Sequence, residues 1–382
     1  MDSWRLQMNQ QAAVAIREHF SALVDPRRKE PIYPLTNIVV MTLCAVICGC
    51  DDFVSIARYA VAKREWFATF LDVSMGIPSH DRFNAVFRAM RPEMFEKCLL
   101  NWVTALHKVT AGQVIAIDGK TLRGSYDKAN SKSAIHMVSA WATLNHISLG
   151  QVVTDAKSNE ITAIPKLLEL IDISGALVTI DAMGCQVEIA DKIIEGKGDY
   201  CLAVKGNQPT LHEGIENHFL PLFETDFEGA AVGRHVDHDA DHGRKVDRFC
   251  YICPVPENLP DQDRWKELKA IGAVVTSSIR NAKETCEVRY YILSRHLTPA
   301  EFASTVRRHW GVENNLHWQL DVTFREDQCR IRKDHADANF SILRRTALSL
   351  LKHERTEKVG MQTKRMICGW NEDYLIKVLC NQ

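Results

Sequence analysis

Apolar positions recur three and four apart from about residue 36 to 109, the spacing that lays one face of an α-helix on a core. GCDD at residues 49–52 and GIPSHD at 76–81 break the run into separate helices. Its most apolar part, IVVMTLCAVICGC at 38–50, is hydrophobic all round yet shorter than the roughly 20 residues a membrane span needs, so it predicts a buried helix. Ser79 is the expected N-cap of a helix that turns Phe83, Val86 and Phe87 inward. Near Gln113 the period shortens. QVIAID, AIHMVSAWATL, ISLGQVVTD, GALVTID and DYCLAVKG are short runs rich in Val, Ile and Ala, closed by turn residues, and they predict strands. NEITAIPKLLELI, opening at Ser158 and Asn159, predicts a helix between the third and fourth, and CQVEIADKIIEG another between the fourth and fifth. Three strands, helix, strand, helix, strand fit an α/β layer around a mixed sheet whose first strands join as hairpins.

Residues from about 211 to 294 have a different texture: RHVDHDADHGRKVDRFCYICPV, AIGAVVTSSIR and CEVRYYILS predict further strands, an insertion that extends the sheet. A long helix then opens at LTPAEF, with Thr298 as cap, Pro299 at the first helical position and Glu301 closing a capping box. The rest, from about residue 325, is mainly helical and locally basic at RIRK and LRR. The chain thus divides into a helical region at 1–110, a mixed-sheet domain at 111–330 with a β-rich insertion at about 211–295, and a helical C-terminal region at 331–382. Small helical modules such as the first bind DNA in some proteins and only pack in others.

Composition adds limits. With 46% hydrophobic and 25% charged residues in a chain of 382, a sizeable core is available. The net charge of −1 gives no global positive field, so any nucleic-acid surface is local. MDSWRLQMNQ lacks the basic-then-apolar layout of a secretory signal, and twelve cysteines without one read as reduced thiols of a cytoplasmic protein, with no membrane partner.

Against this pattern three carboxylates stand out. Asp118 closes the run VIAI and Asp181 closes LVTI, the ends of buried strands where ligands gather in open α/β sheets. An aspartate there is also the ordinary hydrogen-bond acceptor of a turn. On a helix of about 100° per residue, Phe302, Val306, Leu316 and Leu320 share a stripe with Glu313 in its middle, which predicts a carboxylate on the buried face. Such a group needs a partner, for which His309 or His317 would serve, or a cation. Two strand ends and a helix offering hard oxygen ligands suit Mg²⁺ or Mn²⁺, and phosphoryl transfer with two metal ions requires such a set. Lys120 and Arg123 behind Asp118, and Lys205, Asn207 and Gln208 in AVKGNQ, are candidate contacts to a DNA backbone, with solvated turns as the plainer reading.

AIDGKTLRGSYDK, KSNEITAIPKLL, TIDAMGCQ, AVKGNQ, HGR, VRYYILS and HWGVENNLHWQLDVTFREDQCRIR resemble, in the same order, the H-repeat-associated (Rhs-element) transposases, an ISAs-type branch of the bacterial DDE transposases. The resemblance implies an RNase H-like catalytic core with a β-rich insertion, a catalytic triad at Asp118, Asp181 and Glu313, and two Mg²⁺ or Mn²⁺ ions. It also implies cleavage and strand transfer on double-stranded transposon ends and target DNA, within a homodimeric synaptic complex. Broader relatives carry Tyr-x-x-Arg-x-x-x-Glu-x6-Lys around the glutamate; here Val306, His309 and Leu320 stand at the Tyr, Arg and Lys positions, leaving His309 or neighbouring Arg307 to meet phosphate. Asp321, Glu326 and Asp327 are reserve third ligands. A structure-specific nuclease without strand transfer, and a DNA-binding remnant without catalysis, are the alternative functions.

Two other groupings carry less. His235, His238, His242, Cys250 and Cys253 have zinc-knuckle elements, but strand alternation sends the two cysteines to opposite faces. His242 and Arg244 are candidate DNA contacts or parts of a turn. Trp310 and Trp318 are expected to pack.

Overall fold

The all-round apolar run forms α1 (Leu35–Ile47), in which every residue from Asn37 to Ile47 is buried. The computed structural model describes residues 18–28, 31–106, 112–126, 133–154, 160–241, 244–280 and 283–380. Next comes α2 (Phe53–Ala62), which opens on Asp52: its Oδ1 accepts from the N–H groups of Val54 and Ser55, both at 2.8 Å. Such a cap contributes about 1 kcal/mol. The bundle continues through α3 (Arg64–Phe67), α4 (His80–Ala89) and α5 (Pro92–Leu106). In α4, Phe83, Val86 and Phe87 point inward as expected, although the Ser79 side chain makes no capping bond.

The sheet begins with β1 (Val114–Thr121), β2 (His136–Ala142) and β3 (Ile147–Thr154), paired antiparallel in sequence. Helix α6 (Glu160–Leu170) leads to β4 (Leu177–Ile180), and α7 (Val187–Glu195) to β5 (Asp199–Val204); β4 runs parallel to β1 and β5 parallel to β4. The insertion opens with α8 (Pro209–Glu224), a helix that the strand-like texture of this block did not reveal. An antiparallel meander follows: β6 (Gly233–Asp241), β7 (Arg244–Pro254), β8 (Ala270–Arg280) and β9 (Lys283–Leu293). Because β9 pairs with β5, the insertion does extend the sheet, which has nine strands in the order β3-β2-β1-β4-β5-β9-β8-β7-β6.

Helix α9 (Pro299–Val312) starts as its sequence predicts: Thr298 Oγ1 accepts from the Glu301 N–H, and Glu301 Oε2 accepts from the Thr298 N–H at 2.8 Å. It packs on β1, β4, β6 and β7 and then loosens into two π-helical turns, Glu313–His317 and Gln319–Thr323. The C-terminal helices are α10 (Ala336–His353), α11 (Met361–Trp370) and α12 (Glu372–Cys380). Buried from Ala336 to Leu351, α10 packs on α1, α4, α5 and β3 and so joins the helical bundle to the sheet. From α11, the buried Arg365 guanidinium donates to the carbonyls of Val46 (2.9 Å) and Thr323 and stacks on Phe324, 4.1 Å from the ring centroid. It thereby adds a donor to carbonyls at the end of α1 and of the second π-helical turn. All twelve cysteines are free thiols, and no helix among the described residues is long and apolar enough to cross a membrane.

Candidate active site

Pairing between β1 and β4 ends at Ile117 and Ile180, so Asp118 and Asp181 are the next residues in register on adjacent parallel strands. That places their backbones about 5 Å apart with both side chains on one face. Strand β1 does not stop at Asp118, as expected, but continues to Thr121 paired with β2 alone. Asp118 thus stands where β1 loses its parallel neighbour. Its Oδ1 accepts from the Gly119 N–H at 2.8 Å, and its Oδ2 lies 3.5 Å from His317 Nδ1. Burial, with added repulsion from Glu160, Asp181 and Glu313, pushes the Asp118 carboxyl up to about 7. Asp181 caps a single turn (Ala182–Gly184), accepting from Met183 N–H at 3.1 Å and Gly184 N–H at 3.3 Å. Burial raises its carboxyl too, with Glu160 adding to the effect while Lys205 and the two N–H groups oppose it.

Glu313 departs from the expectation. Phe302, Val306, Leu316 and Leu320 are buried as the stripe predicts, but Glu313 is exposed. The stripe assumes ideal α geometry and a sheet beneath every turn. At Glu313 the helix turns π-helical, and the residue stands where its charge acts on Asp118, past the last β1–β4 pair. Among the described residues Glu313 has no side-chain hydrogen bond or ion pair, and no three His, Cys, Asp or Glu side chains close on one point as a metal-binding group.

A carboxylate that sequence reading passed over also belongs here. Glu160 opens α6, where an acidic residue is ordinary company for a helix dipole, so its position gave no warning. The only signal was its place inside the motif KSNEITAIPKLL. Its Oε1 lies 2.7 Å from His136 Nε2, and His136 Nδ1 lies 2.8 Å from Thr121 Oγ1. A Cβ added at Gly119 would stand 2.1 Å from Glu160 Oε1, which explains the glycine after Asp118.

The candidate phosphate contacts fare unevenly. Lys120 is buried, bonded to Asp321 Oδ1 at 2.5 Å and Glu326 Oε2 at 2.9 Å, so it ties β1 to the π-helical segment and does not face a ligand. Asp321 and Glu326, reserve metal ligands, are used in that network, and Glu326 further accepts from Ser341 at 2.9 Å and lies 3.6 Å from Arg345. His309 is likewise enclosed: its Nδ1 is 3.0 Å from Thr179 Oγ1 on β4, and burial pushes its pKa down to about 4. A neutral, buried imidazole does not meet phosphate. Asn207 donates to Ala182 O (2.7 Å) and Gln208 to Cys185 O (3.0 Å), so both amides pin the turn that carries Asp181. Arg123 remains open, 84% exposed with Asp327 at 3.8 Å, and Lys205 is exposed. Arg307 forks onto Asp239, which also accepts from Arg248 at 2.7 Å. These arginines line a cavity of about 790 Å³ with Arg308, Trp310 and Asn314. Arg244 begins β7, while His242 lies outside the described residues. Trp310 and Trp318, expected to pack, are 37% and 52% exposed. Cys250 and Cys253 fall in different apolar clusters, in line with alternation.

Comparison with known proteins adds the following. Residues 17–103 match a family model described as DDE_Tnp_1-associated, and residues 110–350 match the model Transposase DDE domain. The chain is 40% identical over 370 residues to "H repeat-associated putative transposase YhhI" of Escherichia coli K12, covering 95% of this chain and 97% of that protein. It is 40% identical over 374 residues to "Putative transposase YncI" of Escherichia coli O157:H7, covering 96% and 95%. Among solved structures, the cryo-EM structure of the piggyBac transposase synaptic complex with hairpin DNA aligns with a TM-score of 0.40 at 13% identity, over 97% of this chain and 80% of that one.

Proposed function

Since the chain belongs to the Transposase DDE domain family, we propose that it cleaves double-stranded DNA at the ends of an insertion element and joins those ends to target DNA, as a homodimeric or larger synaptic assembly. Asp118, Asp181 and Glu313 are the acidic residues of this reaction. One observation carries the reading: two carboxylates stand in register at the end of β4, and the charge of Glu313, unpaired among the described residues, reaches the first of them.

The donors suit a hard divalent cation. They are all oxygens, and the Asp118 carboxyl, pushed up to about 7 by burial and three like charges, has a proton where a cation would relieve the repulsion. When bound, two Mg²⁺ or Mn²⁺ ions would supply activation of an attacking hydroxyl and stabilisation of the leaving oxygen. The chain's own work is positioning. The Gly119, Met183 and Gly184 N–H groups aim the two aspartates, and Asn207 and Gln208 hold the turn behind Asp181. His309 locks α9 to β4 through Thr179, which sets the approach of Glu313 four residues on. Arg123 and Lys205, both open to solvent, are the cations best placed for phosphates nearby.

An end-cleavage and joining assay with the DNA that flanks this gene tests the proposal. Wild-type protein should nick and join in Mg²⁺, while Asp118→Asn and Asp181→Asn should bind the ends without cutting. Cutting of branched DNA with no end preference would favour the nuclease alternative, and full cleavage by Asp118→Asn would remove that residue from the mechanism.

A further inference from the structure

We propose that His317 and Asp321 are positioning residues for the acidic centre: with His309 they clamp the π-helical segment along β4 and β1, so that Glu313, between the clamps, is held toward Asp118 and Asp181. The inference rests on the function proposed above and adds to it the residues that set the third carboxylate.

The spacing along the segment is the first support. Val312, Leu316, Leu320 and Phe324, four residues apart, are each at most 1% exposed. On an α-helix a four-residue step drifts by about 40°, so by Phe324 such a row would have turned about 120° from its start. The row stays buried because the segment is wound more loosely. The Trp318 N–H donates to Glu313 O and the Phe324 N–H to Gln319 O, each five residues back, and the extra residue per turn cancels the drift. The same spacing strings His309, Glu313, His317 and Asp321 into a second row, one position on from the buried one.

This second row is tied to the strands in order. His309 Nδ1 lies 3.0 Å from Thr179 Oγ1, and Thr179 pairs with Ala116. His317 Nδ1 lies 3.5 Å from Asp118 Oδ2, and Asp321 Oδ1 accepts from Lys120 Nζ at 2.5 Å. Ala116, Asp118 and Lys120 share one face of β1, so the ties climb that strand in steps of about 6.6 Å. Among the described residues Glu313 alone in the row makes no side-chain hydrogen bond or ion pair, and it falls midway between the first two ties. The buried row already packs the segment. Lys120 already has Glu326 at 2.9 Å, so Asp321 is not needed to neutralise it. What the polar ties add is a fixed height and rotation for Glu313 over the face that bears both aspartates.

The test uses the full-length protein, with Mn²⁺ binding read by electron paramagnetic resonance and calorimetry and urea unfolding in EDTA alongside. Asp321→Ala frees the far tie while Lys120 keeps Glu326, and it should weaken Mn²⁺ binding at least about tenfold, although Asp321 is bonded to none of the three acidic residues. Asp321→Asn, which still accepts from Lys120, should recover most of that affinity. Asp321→Glu keeps the ion pair but lengthens it by one methylene, so its unfolding midpoint should match wild type while Mn²⁺ binding still falls severalfold; it carries the test even if Asp321→Ala does not fold. His317→Ala should resemble Asp321→Ala, and end cleavage by both should lose kcat with KM for DNA unchanged. Wild-type Mn²⁺ affinity in Asp321→Ala and Asp321→Glu, whatever their midpoints, makes these ordinary packing contacts and overturns the inference. Asp118→Asn and Glu313→Gln separate it from the parent reading. Loss of Mn²⁺ binding in those two, with none in the Asp321 and His317 variants, sinks this inference alone, whereas normal binding in both sinks the parent reading.

Discussion

Asp118→Asn should stabilise the metal-free protein at alkaline pH while abolishing its chemistry. The Asp118 carboxyl ordinarily titrates near 3.8 and is pushed up to about 7 in the fold. Between those values the native state holds a proton that the unfolded chain has released, so stability falls as pH rises through the window and stays lower above it. A rise of about 3 pH units corresponds to at most about 4 kcal/mol at 1.36 kcal/mol per unit. The side chain is 23% exposed, and solvent takes up part of that penalty, which leaves about 1–3 kcal/mol as the expected gain at pH 8. At pH 4 the native carboxyl is protonated and the unfolded one is about half ionised, so the gain should shrink to well under about 1 kcal/mol. Asparagine keeps an oxygen for the Gly119 N–H, so the substitution costs no local hydrogen bond. Urea unfolding of wild type and variant in EDTA at pH 4, 6 and 8 measures the difference directly. Mg²⁺ at about 100 times its Kd should then stabilise wild type by about 2.7 kcal/mol and leave the variant nearly unmoved. A variant equally or less stable than wild type at pH 8, with no trend across the three pH values, would refute the idea that like charges crowd this carboxylate.

Three further outcomes follow from the surrounding groups. Burial alone would raise the Glu326 carboxyl, but Arg345, Lys120 and Arg344 hold it down to about 2, so its stabilising contribution is present above pH 4.5 and lost as pH falls toward 2. Glu326→Gln should cost about 3–5 kcal/mol at pH 7 by leaving Lys120 and Arg345 partly uncompensated, as read by denaturant midpoint; a loss under 1 kcal/mol would show the network to be dispensable. His309 is pushed down to about 4 by burial, so the unfolded chain takes up a proton first and stability is lost as pH falls from 6.5 to about 4. His309→Gln should flatten the stability profile in that window, and an unchanged slope would mean another group carries it. Asp239→Asn releases Arg248 and Arg307 beside the cavity, so DNA affinity should rise and the slope of log K against log salt steepen by about 1–2; an unaltered slope in a titration across salt concentrations would place the DNA elsewhere.

The fold was legible wherever a residue's fate depends on its neighbours in sequence. Alternating and continuous apolar runs marked β1 to β5, the all-round apolar segment marked α1, and the Thr298–Glu301 box marked the start of α9. Asp118 and Asp181 showed because each breaks an apolar run at its end. What failed depends on distant partners. Lys120 looks like a free cation behind Asp118, but its carboxylates lie some 200 residues later, at Asp321 and Glu326. Nothing in the sequence pairs Glu160 with Gly119 across a helix and a strand. Glu313 was placed on the right face by helical arithmetic and in the wrong environment, because periodicity says which way a side chain points and not where the sheet beneath it ends. In α8, Gly214 and Pro221 interrupt an otherwise helical pattern, and its neighbours' β texture hid it.

The far margin of the nine-stranded sheet carries its own safeguard against growth. Among the described residues strand β6 has no neighbour on its outer side, and an unpaired row of N–H and C=O groups is a template on which another molecule's strand can grow. Its sequence, GRHVDHDAD, sets Arg234, Asp237, His238 and Asp239 along that row. Charged side chains along an outer strand disfavour its pairing with a second strand. The charges along β6 thus oppose growth of the sheet by edge-to-edge pairing beyond its nine strands.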